Sequence, residues 1–177
     1  MVRPSKHTMS FYAFVCVLFA YGSQVCDSKP KYDAWKVLVN FAMGYIKYTN
    51  YNDSNRICMG VSTVILNETY KTAVFNFTLR TTDDPAIQTV EQYGKVGRRR
   101  NIVQFYDAES GDLAVEFKVP YSNYTTCTIL KQVNSTKCRL RTSNEASEAE
   151  IDKCLKKFYP YCGTTIYDVY NEELCPA

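Results

Sequence analysis

Apolar and polar residues alternate along most of this 177-residue chain, starting near Tyr45. A period of two is typical of β-strands that bury one face. It is clearest in the third run, where one face carries Ala73, Phe75, Phe77 and Leu79. Clusters of Gly, Pro, Asn and Asp separate the runs, as turns do. The pattern predicts eight strands, at 44–51, 56–66, 70–81, 87–95, 102–107, 112–119, 124–133 and 137–142.

Eight short strands at nearly even spacing favour an antiparallel up-and-down β-barrel, because closing the sheet leaves no unpaired edge. The predicted fold class is therefore all-β: an eight-stranded barrel with a short N-terminal helix and a C-terminal helix. The short helix is expected at 33–38, where Asp33 can act as its N-cap. Trp35, the sole tryptophan, is expected to pack against the core.

The C-terminal helix is predicted from a capping box, with Ser147 as N-cap and Glu150 three residues later. Its apolar stripe recurs at helical spacing and consists of Ile151, Cys154, Leu155 and Phe158. Pro160 and Gly163 are expected to end the helix. A last short strand at 165–170 then leads to Cys175.

The N-terminus favours export. Arg3 and Lys6 precede an apolar run at 11–20, which is shorter than the roughly 20 residues a membrane-spanning helix needs. This predicts a signal peptide at 1–24, followed by one domain at 25–177 that is secreted and has no membrane span. Five Asn-x-Ser/Thr sites agree with an extracellular, glycosylated surface: Asn52, Asn67, Asn76, Asn123 and Asn134.

The cysteines indicate a disulfide-stabilised domain. Of eight, Cys16 lies in the predicted signal peptide and Cys26 just beyond it. The others are Cys58, Cys127, Cys138, Cys154, Cys162 and Cys175, and no two cysteines have the C-x-x-C spacing of redox or zinc motifs. Spacing alone leaves their connectivity open, since six cysteines can pair in about fifteen ways.

Charge and chemistry exclude several functions. The net charge is only +3 and the basic residues are dispersed, which argues against a nucleic-acid partner. The one basic cluster, at 97–100, is interpreted as a solvated hairpin tip rather than a binding patch. The only histidine, His7, lies in the predicted signal peptide, so the mature chain lacks the usual base for a Ser or Cys nucleophile and the commonest zinc ligand. We expect no enzyme activity, no cofactor and no metal site.

Six segments in order resemble the salivary lipocalins of blood-feeding ticks, the histamine-binding-protein family. They are Asp-Ala-Trp-Lys at 33–36, Cys-Met-Gly-Val at 58–61, Tyr-Thr-Thr-Cys-Thr-Ile-Leu at 124–130, Cys-Arg-Leu-Arg at 138–141, Ile-Asp-Lys-Cys at 151–154 and Ile-Tyr-Asp at 166–168. The resemblance implies a lipocalin barrel with the disulfides Cys58–Cys175 and Cys127–Cys154. It leaves Cys138–Cys162 as a reasonable third pair, and Cys26 as a free thiol, an intermolecular link or part of an excised segment.

The chain departs from the amine-binding members of this family at Arg139. Those relatives carry an acidic residue here, in motifs such as Cys-Glu-Leu-Trp, and it projects into the barrel toward a cationic amine. An inward arginine would instead repel a cation, which disfavours histamine and serotonin. The alternative is that Arg139 reaches the barrel mouth or pairs with a carboxylate such as Glu116 or Glu91.

The predicted interior is apolar and aromatic, which suits a sterol, a fatty acid or an eicosanoid. The candidate ligand-binding residues are Phe75, Phe77, Val103, Phe105, Leu113, Val115, Phe117 and Arg139, with Tyr93 at the rim. Each aromatic could equally be core filling, and one bulge would reverse a strand's facing.

Two functional hypotheses follow. The first is a carrier that sequesters a small hydrophobic host molecule. The second is an immune modulator that uses the barrel as a scaffold and binds a host immune-cell surface protein. The family branch nearest in general character carries a sterol-type ligand and modulates dendritic cells. A biogenic-amine scavenger is a weaker alternative.

Overall fold

The computed structural model describes residues 30–53, 55–171 and 174–175. The predicted signal peptide and Cys26 lie outside these residues. The elements, in chain order, are α1 (Ala34–Asn40), β1 (Met43–Thr49), β2 (Arg56–Asn67), β3 (Thr72–Thr81), β4 (Gln88–Val96), β5 (Ile102–Asp107), β6 (Leu113–Ser122), β7 (Cys127–Gln132), β8 (Cys138–Ser143), α2 (Glu148–Cys162) and β9 (Tyr167–Asp168).

The first eight strands form a closed antiparallel barrel. Each strand from β2 to β7 pairs with the next along the chain, and β1 pairs with both β8 and β2. The predicted eight-stranded barrel, with a short N-terminal helix and a C-terminal helix, is therefore confirmed. The strand predicted at 165–170 is shorter, consisting of the two residues of β9, which pair with the far end of β1.

Helix α1 closes one end of the barrel. Asp33 caps it through a hydrogen bond from the Trp35 backbone N–H to Oδ1 (3.0 Å), and Arg100 holds the same carboxylate from the β4–β5 hairpin tip (3.0 Å). One face of the helix is fully buried in the main core, which includes Val37, Leu38, Phe41, Phe75, Val103 and Val119. Trp35 packs against this core, as predicted. The helix and these side chains make a solid floor, so any interior space must lie nearer the other end.

The barrel wall is incomplete where β1 leaves β2. The two strands pair only over Met43–Tyr45. Beyond that point Val169 lies between them: its N–H donates to the Lys47 carbonyl (3.0 Å), and its carbonyl accepts from the Cys58 N–H (2.8 Å). The Val169 side chain is buried with Ile46 and Met59. The C-terminal segment therefore completes the wall that the eight strands leave open.

Helix α2 lies outside the barrel against β7 and β8. The predicted capping box is present, with the Ser147 backbone N–H donating to the Glu150 carboxylate (3.0 Å). The Ser147 hydroxyl donates to the same carboxylate (2.7 Å). The helix ends at Gly163, where φ is +83°, a conformation that favours glycine. The expectation that Pro160 also ends the helix is wrong. Pro160 lies inside the last turn, where it removes a single backbone hydrogen bond, and the helix continues to Cys162.

Three disulfides tie the helix and the C-terminus to the barrel. They are Cys58–Cys175 and Cys127–Cys154, the two pairs that the family resemblance implies, and Cys138–Cys162, the pair that it leaves. The last two join α2 to β7 and β8, and their sulfurs lie within the buried cluster around Phe158. The first joins β2 to the segment that completes the barrel wall.

Replacing Cys58 and Cys175 together with serine should destabilise the protein more than replacing Cys138 and Cys162. The first bridge closes a loop of 117 residues and the second one of 24. From loop-closure entropy, the free energy of unfolding should fall by about 5 kcal/mol without the first bridge and by about 3.5 kcal/mol without the second. Urea unfolding of both double variants measures the difference. A smaller loss of unfolding free energy in the Cys58/Cys175 variant would contradict a dominant constraint of this bridge on the unfolded chain.

Candidate functional site

A cavity of about 330 Å³ lies inside the barrel between the floor and the open end. Sixteen residues line it. Eleven are apolar, namely Ile46, Met59, Val61, Phe77, Leu79, Val90, Phe105, Ala114, Val115, Phe117 and Leu130. The other five are Arg56, Thr78, Gln92, Arg139 and Arg141. The volume is at the lower end of the range for small-molecule sites, about 300–1,000 Å³.

A cluster of phenylalanines forms the inner surface of the cavity. The ring centroid of Phe105 lies 5.6 Å from that of Phe77 and 6.2 Å from that of Phe117, in edge-to-face contact. Phe75 lies behind Phe105, and its ring covers Gly94. A side-chain carbon at position 94 would approach Phe75 to 2.5 Å, so only glycine fits there. The aromatic surface is therefore fixed by packing before any ligand binds.

Five of the nine candidate ligand-binding residues line the cavity: Phe77, Phe105, Val115, Phe117 and Arg139. Two others, Phe75 and Val103, face the interior but are buried in the floor and do not border the cavity. They belong to the same buried cluster as Phe41 and the apolar face of α1, so they contribute to the core beneath the cavity.

Neither Leu113, which was expected to face inward, nor Tyr93, which was expected at the rim, lines the cavity. On β4 the neighbouring residues Gln92 and Gly94 take the interior positions, so Tyr93 points outward beside Tyr106. On β6 a bulge shifts the register: Phe105 pairs with Val115, but Tyr106 pairs with Leu113. The extra residue, Ala114, turns Leu113 to the outer face, where its side chain is 50% exposed.

Arg139 lies at the side of the cavity and its charge is partly compensated. Its Nε donates to the Tyr51 hydroxyl (2.7 Å), and its Nη2 lies 3.9 Å from an Asp53 carboxylate oxygen. The suggested partners Glu116 and Glu91 are both wrong. Glu116 faces outward and accepts from Gln104, and Glu91 borders an outer hollow.

Arg141 is the main lining residue that the sequence reasoning missed. It is 3% exposed, and burial lowers the pKa of its guanidinium to about 10. Its position was predictable from the sequence, because the period of two that turns Arg139 of β8 into the barrel turns Arg141 the same way. The alternate residues Cys138 and Leu140 point to α2. Among the described residues no aspartate or glutamate lines the cavity.

These features define a lipocalin: a closed eight-stranded barrel, plugged at one end by a helix, with an apolar cavity open at the other. The family model for the tick histamine binding protein matches residues 26–176, so the chain belongs to that family. This family and fold are those of ligand-binding proteins rather than enzymes.

Solved structures of similar fold bind different small molecules. AM182 in complex with serotonin is 17% identical, with a TM-score of 0.61 over 87% of this chain and 98% of that one. Japanin from Rhipicephalus appendiculatus bound to cholesterol is 12% identical, with a TM-score of 0.59 over 84% and 99%. The siderocalin Ex-FABP, described as having dual ligand specificities, is 12% identical, with a TM-score of 0.51 over 75% and 94%. Comparison with curated protein sequences gave no significant match.

Within the described residues, no helix is long and apolar enough to cross a membrane. The same part of the chain brings together no group of three His, Cys, Asp or Glu side chains that could hold a metal ion.

Replacing Val115 with tryptophan should block the cavity, whereas Leu113→Trp should not. The two positions lie on the same strand on opposite sides of the Ala114 bulge, so they form a matched pair. Overpacking at Val115 is expected to cost about 1–3 kcal/mol and to leave the fold intact. Titration with N-phenylnaphthylamine, a neutral dye that fluoresces in apolar sites, should give at least a tenfold loss of affinity for Val115→Trp only. Equal losses in both variants would contradict the assigned facing.

Proposed function

We propose that this chain is a secreted salivary lipocalin that carries one small apolar ligand, of the sterol, fatty-acid or eicosanoid type, inside its barrel. The observation that carries the proposal is the cavity lining, with eleven apolar side chains and no carboxylate. Moving an apolar ligand from water into such a site is favourable without any strong polar contact. The similar structures, which hold serotonin and cholesterol, support a small-molecule role.

Secretion is supported by three disulfides, which form and persist in oxidising compartments. Four of the five glycosylation sites are exposed, and Asn76 lies on the outer face of β3 with Phe75 and Phe77 facing inward. A carrier of this kind modulates the host's immune and inflammatory responses by removing a lipid mediator from solution. Japanin-like action on dendritic cells is the specific form of this proposal.

A protein-binding role is the second candidate. The far end of the β2–β3 hairpin presents consecutive exposed apolar side chains: Val64 (53%), Ile65 (58%) and Leu66 (40%), with Tyr70 (73%) in the turn. Contiguous exposed apolar surface of this kind is typical of interaction sites. In this function the barrel is a scaffold and the hairpin contacts a host immune-cell protein.

An amine scavenger is disfavoured by the charges inside the cavity. A cationic amine would meet Arg139 and Arg141 with no carboxylate among the lining residues to offset their repulsion.

Isothermal titration with serotonin should therefore give no heat of binding at concentrations that saturate the neutral dye. Arg139→Glu should weaken anionic and neutral ligands more than cationic ones. Serotonin binding by the wild-type protein would contradict this account.

The ligand should accompany the protein through purification. Native mass spectrometry of the secreted glycoprotein is expected to show one bound molecule per chain, released by solvent extraction and identifiable as a lipid. An empty cavity in protein that still binds leukocytes would favour the scaffold function instead. In that case Ile65→Glu should abolish leukocyte binding, whereas Val115→Trp should not affect it.

A further inference from the structure

Arg141 is held at the inner end of the cavity by the sheet on both sides. β8 pairs it with Ile46 of β1 and with Thr128 of β7, so its backbone has little freedom to move. The side chain lines the cavity and lies over the Phe41 ring, with 5.5 Å from the guanidinium carbon to the ring centroid. It therefore occupies the junction between the cavity and the helix floor.

The guanidinium of Arg141 lacks the partners that a buried charge normally has. Its Nη2 donates to the Phe41 carbonyl (2.7 Å), while its Nε is buried with no hydrogen-bond partner. Within the described residues no carboxylate lies within 4.0 Å of it, in contrast to Arg139, which has Asp53. A buried, unpaired charge is strongly destabilising, so proteins rarely keep one without a role.

Arg141 keeps its charge despite burial. The pKa of about 10 is below the ordinary value for arginine but well above neutral pH. Desolvation is the only cause of this shift, which agrees with the lack of a nearby anion. The inner end of an otherwise apolar cavity therefore carries a full positive charge.

We propose that Arg141 binds the ionised carboxylate of an aliphatic carboxylic acid, whose hydrocarbon chain runs past Phe105 and Phe117 toward the cavity mouth. This inference rests on the proposed carrier function and specifies its ligand class. The planar guanidinium fork matches a carboxylate, and their attraction is strong where water is excluded. A neutral ligand would leave the charge unpaired, so the site should select the acid over a neutral lipid of the same length.

The test compares decanoic acid with decanol, which has the same chain length and no charge. Each displaces N-phenylnaphthylamine from solvent-extracted protein at neutral pH. The wild-type protein should bind the acid about 10- to 100-fold more tightly than the alcohol, the range for a hydrogen bond to a charged group. Arg141→Met should remove this preference, because it weakens acid binding far more than alcohol binding.

Arg139→Met is the matched control, because it removes the other cavity-lining arginine on the same face of β8. It should leave most of the preference for the acid in place. If the preference disappears in Arg139→Met and persists in Arg141→Met, the carboxylate lies near Tyr51 and the inference is wrong. Arg141→Gln keeps a donor for the Phe41 carbonyl. It replaces Arg141→Met if that variant unfolds and should lose the preference in the same way.

The possible failures are distinguishable. Equal binding of acid and alcohol by the wild-type protein would overturn the inference and leave the carrier function standing. Binding of neither compound, nor of the dye, would overturn the carrier function and the inference with it.

As a check without substitutions, lowering the pH through the pKa of the acid should weaken decanoic acid binding and leave decanol binding unchanged. A parallel loss for both compounds would contradict the charge pairing.

Discussion

The structure depends on how β1 closes the barrel. This strand pairs with β8 over most of its length but with β2 over only three residues. The remaining gap is filled by a segment more than a hundred positions away in sequence, through the two hydrogen bonds of Val169. Cys58–Cys175 fixes that segment to β2. Without this closure the cavity would open sideways, and Ile46 and Met59, which line it, would meet solvent.

Closure of the barrel wall and packing of its floor together determine where a ligand can lie. Helix α1 and Phe41 fill the floor, so Phe75 and Val103 serve as core, although they point the same way as the lining residues. The cavity begins only where Phe105 and Phe117 present their rings. A fixed aromatic surface binds an apolar ligand with little loss of side-chain freedom, which favours affinity through preorganisation.

The interior of this barrel carries positive charge, because three arginines line the cavity. Solved structures that are 12–17% identical share the barrel fold and hold serotonin or cholesterol, as expected when function lies in the site rather than the fold. Among the described residues, the cavity lining of this chain includes arginines and no carboxylate. Arg139 is balanced by Asp53, whereas Arg141 remains unbalanced and gives the inner end its charge.

Local pattern was sufficient for the elements of this fold. The alternation in β3 and the capping box of α2 depend on neighbours in sequence, and both form as predicted. Pairing across the sheet could not be read in the same way. The Ala114 bulge turns Leu113 outward because the register between β6 and β5 shifts at this point. The sequence of β6 alone does not indicate this shift. Whether Phe75 or Phe105 borders the cavity depends on how deeply α1 inserts, and the partner of Arg139 depends on the loop after β1. These outcomes are decided by contacts between segments distant in sequence, so only the tertiary structure determines them.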